Sequence, residues 1–274
     1  MSGISFFLLL IAISFTSCEK GNEGTVNPLD GLVKLCDGYA TGASAKVEIW
    51  GTKNFFAGYN KLNVVLYDSL NTNMKITDAH ITFMPVMTMT MDMMTHEHSS
   101  PVENPDVLAV SGVFPGAVIF IMPSTDEGKW KLTVGVHNHK YDKEGEAEFE
   151  IKVDNPDYAL IKSFVSQSPD STKLFVSLIQ PSDPKVGVND NEFTIHSMAG
   201  MMSFPPEDGY TIDITPEMPS MGHGSPNNVN PVSTGNGHYK GKVNFTMTGE
   251  WRINLVIRKE AAAISNGLYF DLMF

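Results

Sequence analysis

The chain has 274 residues, 42% of them hydrophobic, and a formal net charge of −12 with no basic run. That length holds one or two domains with cores of ordinary size, and acidity without a basic patch argues against a nucleic-acid partner. Two cysteines, at 18 and 36, leave no disulfide framework to build a fold around.

First in chain order is MSGISFFLLLIAISFTSC. Its apolar run from Phe6 to Phe15 is too short to span a bilayer and has the length of a signal-peptide core. It ends in Phe15-Thr16-Ser17-Cys18, which resembles the lipobox of bacterial lipoproteins. That resemblance implies a signal peptide over 1–17, a lipid on Cys18 and a polar tether over 18–30. No later run reaches the length of a membrane span, so the expected membrane link is the lipid alone. Cys36 then stands by itself in LVKLCDGYA, an apolar setting that suits a buried, inert thiol.

From residue 31 the pattern turns to β. KLNVVLYD, AHITFMP, GAVIFIMP, KWKLTVGV and EAEFEIKV are short, alternating and rich in Val, Ile, Phe and Thr, with Gly, Pro, Asn and Asp between them. The chain also repeats. Lys46–Trp50 followed by GYNKLNVVLYD (58–68) returns as Lys173–Leu178 followed by GVNDNEFTIHS (187–197). ITDAHITFMP (76–85) returns as EDGYTIDITP (207–216), and EGKWKLTVGV (127–136) as TGEWRINLVI (248–257). Copies of this length are domains, not solenoid units. The expected fold is all-β: two tandem immunoglobulin-like β-sandwiches at 31–154 and 158–274, joined by DNPD (154–157). Trp130 and Trp251, each two residues after a glycine, are expected in core or edge packing. EAAAI (260–264) is the one helix-like stretch, about one turn.

Between the strands lies MTMTMDMMTHEHSSPVENP (87–105). Met91, Met94 and His96 are spaced M-x-x-M-x-H, and Met218, Met221 and His223 repeat that spacing in EMPSMGHGSP. Thioether and imidazole are neutral ligands, and the thioether favours Cu(I) or Ag(I) over hard cations. These six residues are therefore the expected metal ligands, with Met84, Met87, Met89, Met93 and His98 crowding the first set. Threonine alternation favours an extended strand here, with the methionines at 87, 89, 91 and 93 on one face and Met94, His96 and His98 on the other. The competing reading is packing, or a plastic apolar surface for a partner. His137 and His139, in HNH, could share one face but are expected as solvated turn residues, and His80 and His238 as ordinary hydrogen-bonded histidines. His196, Met198, Met201 and Met202 either extend the second site or fill a strand end. Met122 and Met247 are expected in the core.

PEMPSMGHGSP (216–226) followed by GHYKGKVNFTMTGEWRINLVI (237–257) resembles the YtkA-like family, a relative of the FixH-like group, through its M-P-x-M-G-H, G-x-Y and G-x-W order. The first copy matches more loosely, with Met94-Thr95-His96 in place of M-G-H. Residues 31–60 look like the leader of Bacteroidetes-type lipoproteins that carry this domain. The resemblance implies a small immunoglobulin-like sandwich at the cell envelope with a role in copper handling. The expected function is thus an outer-membrane-anchored lipoprotein that holds Cu(I) or Ag(I) and exchanges it with an envelope metallochaperone, oxidase-assembly or efflux partner. The alternative is a structural or protein-interaction module. No G-x-S-x-G, H-E-x-x-H or phosphate loop points to an enzyme.

Overall fold

The computed structural model describes residues 27–91, 94–167 and 171–274. The expected signal peptide, Cys18 and Met93 lie outside the described residues. The first half runs β1 (Val33–Ala40), β2 (Ala45–Gly51), β3 (Gly58–Asp68), β4 (Asn71–Ile76), β5 (Ala79–Met91), β6 (Met94–His98), β7 (Val102–Glu103), β8 (Phe114–Phe120), β9 (Gly128–Asn138) and β10 (Lys143–Ile151). The second runs β11 (Ile161–Val165), β12 (Lys173–Gln180), β13 (Gly187–Ser197), β14 (Tyr210–Met218), β15 (His223–Gly224), β16 (Val229–Gly235), β17 (His238–Phe245), β18 (Glu250–Lys259), β19 (Ala262–Ala263) and β20 (Leu268–Met273).

The strands form four antiparallel sheets, two per half. In the first half β1-β2-β3-β8-β7, with β4 on β3, faces β10-β9-β5-β6. In the second, β11-β12-β13-β17-β16 faces β15-β14-β18, whose far edge is shared by β19 and β20. Apart from β4, which has no counterpart, and β10, whose place is taken by β19 and β20, the order is the same, so the chain is all-β and duplicated. Small polar devices repeat with it. Asn60 accepts from the Phe56 amide and donates to the Phe56 and Gly58 carbonyls, while Asn189 does the same with Lys185 and Gly187. Asn104 accepts from the Phe83 amide and Asn230 from that of Ile214. Each ties the segment after the Met/His hairpin back to the strand before it.

The cores follow from alternation. Inward residues of β3 and β9 (Leu62, Val64, Leu66; Trp130, Leu132, Val134) are buried against Ile81, Phe83 and Met87 of β5. Phe193, Ile195, Ile212, Met218, Trp251 and Ile253 do the same in the second half. Both tryptophans are core residues, as expected. Cys36 is half-buried, and burial, with Asp37 beside it, pushes its thiol up to about 12, so it stays protonated and inert.

The helical expectation at 260–264 fails. Residues 262–263 are a short strand paired with Arg258 and Lys259. Three alanines favour helix weakly, but here the chain reverses after one turn with Glu260 at φ 55°, and Ile264 is buried in the core. Among the described residues the only helical turn is a 3-10 turn at Thr41–Ala43, and no helix is long and apolar enough to cross a membrane.

Candidate metal centre

β5 and β6 form a regular hairpin whose register pairs Met87 with His98, Met89 with His96 and Met91 with Met94. Residues directly opposite in an antiparallel pair point to the same side, about 4.5–5.5 Å apart at Cβ. The separation of methionines and histidines onto two faces, read from the strand period alone, is therefore corrected: folding back at the turn puts Met87, Met89, His96 and His98 on one face. Two successive rungs each offer a thioether opposite an imidazole. The intervening rung faces the other way and carries Thr88, whose hydroxyl donates to Glu97.

The ladder grades from wet to dry. Met94 and His96 are exposed near the tip, Met89 is half-buried, and Met87 and His98 are buried at the base. At that base His98 meets Trp130 at right angles, ring centroids 5.4 Å apart. The His98 Nδ1–H donates to the Ser99 carbonyl at 2.9 Å. In a neutral ring that bond selects the tautomer whose Nε2 carries the lone pair, the one a ligating histidine uses.

The second half has one such rung. Met218 pairs with His223 across β14 and β15, and His223 meets Trp251 at 87° with centroids 6.2 Å apart. Each tryptophan is anchored alike, Trp130 donating to the Met122 carbonyl and Trp251 to that of Met247. Each rung methionine lays its methyl over the glycine two residues before the tryptophan. A Cβ on Gly128 would sit 2.8 Å from Met87 Cε, and one on Gly249 2.7 Å from Met218 Cε.

The structural counterparts are thus Met87 with Met218 and His98 with His223. The matched M-x-x-M-x-H triplets are not equivalent positions. The register pairs Met91 with Met94 at the hairpin tip and places His96 one rung below them, whereas Met218 and His223 stand at the base of a shorter hairpin with the exposed Met221 in its turn. The first hairpin has ten residues between its base pair and the second has four, so equal spacing in sequence falls at unequal places in space. Sequence reasoning placed Met87 and His98 among the residues crowding the first set, not as its chosen ligands, and left the tryptophans outside the site. The strand repeat held the signal: the offset relating Pro85 to Pro216 carries Met87 onto Met218.

The methionine-rich stretch at 196–202 joins neither half of the second rung. His196 is buried at the end of β13, where desolvation lowers it to about 4, and bridges to Pro206. Beyond it, the Met201 carbonyl accepts from the Ser99 amide of the first half, at 2.8 Å. This loop therefore flanks the first ladder.

The family model described as YtkA-like matches residues 169–256, which hold the second rung and its tryptophan. No curated protein matches the chain. Among solved structures, domains 5-6 of the S-layer protein SbsC align over 88% of this chain and 97% of that one, at 12% identity and a TM-score of 0.24. A likeness that low carries no argument.

Proposed function

We propose that the protein is an envelope lipoprotein that binds a soft monovalent cation, Cu(I) or Ag(I), on its Met–His rungs and passes it to a partner. The observation that supports this most is the repeated rung itself. A thioether opposite an imidazole, backed by a tryptophan, recurs in both halves although the hairpins differ by six residues in length. Thioether and neutral imidazole are a donor set that suits Cu(I) and discriminates against hard cations. The first ladder has four such donors, and the second has two with Met221 nearby in the turn.

The wet-to-dry grading gives the reading its mechanism. Met94 and His96 at the exposed end meet an incoming ion or partner. Met89, Met87 and His98 hold it progressively deeper, and Trp130 at the base offers an aromatic wall that attracts a cation. No redox step or catalysis is assigned. Lipid on Cys18 would keep the carrier at the outer membrane, and an oxidase-assembly factor, metallochaperone or efflux component is the partner class that ligand exchange serves.

Titration of the full chain with Cu(I) against a competing chelator tests the reading. Uptake is expected to fall sharply in Met87→Leu/Met89→Leu and in His96→Asn/His98→Asn, and to fall further on adding Met218→Leu. Leucine keeps volume and apolarity while removing sulfur. A folded wild type that takes up no Cu(I), or leucine variants that bind as well as wild type, would sink the proposal. The second reading, a docking surface, rests on the exposure of Met94, Met201, Met202 and Met221, and under it the leucine variants still bind a protein partner.

A further inference from the structure

At the other end of β5, three histidines that sequence reasoning treated as ordinary come together. His80, on the outer face of β5, lies opposite His137 of β9, and His139 reaches them from the turn after β9. One nitrogen of each ring lies within 4.8 Å of the other two. The closest approach is His80 Nδ1 to His139 Nε2, 2.8 Å. We propose that His80, His137 and His139 form a second metal site, built from imidazole alone, for a borderline divalent cation of the Zn2+ or Cu2+ class.

The rings are held for the task. Asp78 accepts from His139 Nδ1 at 2.6 Å, which leaves the lone pair of His139 on Nε2, toward His80. Asp142 engages His137 Nε2 at 2.9 Å, and Glu144 stands 3.9 Å from its Nδ1. Carboxylates behind the imidazoles are the usual outer support of a histidine metal site, where they orient the ring and raise its basicity. The turn that carries His139 is pinned from below: the buried Asn138 side chain donates to the Ala43 carbonyl and accepts from the Lys140 amide. Two nitrogens on one tetrahedral Zn2+ stand about 3.4 Å apart, given metal–nitrogen bonds of about 2.0–2.1 Å. The His80–His139 contact of 2.8 Å is shorter than that figure and the three nitrogens lie within 4.8 Å of one another, so small ring rotations complete the site. His80 and His137 also wall an open groove with Glu144 and Glu146 along it, so an ion has access and a negative field draws it in.

This donor set differs in kind from the Met–His ladder. Imidazole suits Zn2+ and Cu2+, with Cu2+ the tighter, whereas a thioether-rich set favours Cu(I). Along β5, His80 is seven residues from Met87, about 23 Å of extended strand. The two sites are therefore separable by substitution.

The test is calorimetric titration of the full chain with Zn2+ at neutral pH, with circular dichroism as the check of fold. Wild type is expected to bind one equivalent that is lost in His80→Asn/His139→Asn and kept in Met87→Leu/Met89→Leu. Asp78→Asn, an exposed change, is expected to weaken it 10–100-fold. Bound to Cu2+, the wild type should show nitrogen hyperfine coupling that the double variant loses. No equivalent in wild type, or one that survives His80→Asn/His139→Asn, would overturn the proposal, as would an unchanged affinity in Asp78→Asn.

Discussion

Met87 and Met218 show what a single residue does in two settings. Both are buried, and both lay a methyl where a neighbouring glycine has no Cβ. The glycines differ in backbone, since Gly249 has φ +134° and Gly128 does not fall in that region. We predict that Gly128→Ala costs under about 1 kcal/mol, because the end of a methionine side chain swings aside easily, and that Gly249→Ala costs about 1–3 kcal/mol through backbone strain. Urea unfolding of the two variants gives the comparison, and equal losses would refute it. Packing also makes leucine a fair control for sulfur. Met218→Leu should cost less than about 1.5 kcal/mol, against about 2–5 for Met218→Ala. The core roles of Trp130 and Trp251 were legible in the sequence, because an aromatic at an alternating strand position behind a glycine has few places to go. The Met–His–Trp contact was not, because it depends on which residues stand opposite each other, and cross-strand register is not written in local spacing.

The hairpin is the element that separates the halves. Its base is common: Met87 with His98, Met218 with His223. Its arm is not, since the first carries the additional Met89–His96 rung and the Met91–Met94 pair at its tip. If the base rung is the holding site and the arm is the entry route, replacing residues 88–97 with Pro-Ser-Met-Gly, the turn of the second half, gives a clear outcome. The fold should survive with its melting temperature nearly unchanged, because the described arm residues beyond Met89, Thr90 and 94–97, are exposed. Cu(I) capacity of the first half should fall to that of the second, and exchange with a soluble chelator should slow. Undiminished capacity would place the ligands elsewhere. This element also shows where sequence reading stops. Strand identity and the duplication were legible from period-2 alternation and matched segments. Turn length is under weak thermodynamic control, so the triplets drifted out of step while still looking alike. The His80–His137–His139 cluster was illegible for a related reason. Its members are 59 residues apart in sequence at the widest, and only the β5–β9 register joins them.

At the scale of the whole molecule, the two sandwiches meet at a charged clamp. His238 of β17 bonds Glu192 of its own half through Nδ1 and Glu103 of the first half through Nε2, both at 2.8 Å. Tyr59 donates to the other oxygen of Glu103, Lys240 pairs with Glu192, and the neutral His196 lies nearby. Its hydrogen bonds to Glu103 and Glu192 raise His238 to about 9. Burial works against the charge on Glu103, but the bonds from His238 and Tyr59 outweigh it and hold its carboxyl below its ordinary value. For His238 the folded value lies above the unfolded 6.5, so its stabilisation is full below pH 6.5, fades as pH rises toward 9 and is lost above it. The carboxylates work in the opposite sense: their contribution is full above about 4.5 and is lost as pH falls below that. The clamp is therefore strongest between roughly pH 5 and 6.5, worth on the order of 2 kcal/mol for charge-assisted bonds of this kind. His238→Asn should cost that much at pH 6 and almost nothing at pH 10, measured by denaturant unfolding. The clamp also bears on the ladder. Glu103 and Ser99 bracket the segment that leaves His98, and both are tied to the second sandwich, Ser99 through its amide to Met201. Releasing His238 should loosen that segment, so the Ser99 amide is expected to exchange with solvent faster in His238→Asn than in wild type at pH 6, with the difference vanishing at high pH. An exchange rate indifferent to the substitution would mean that the second sandwich does not brace the ladder.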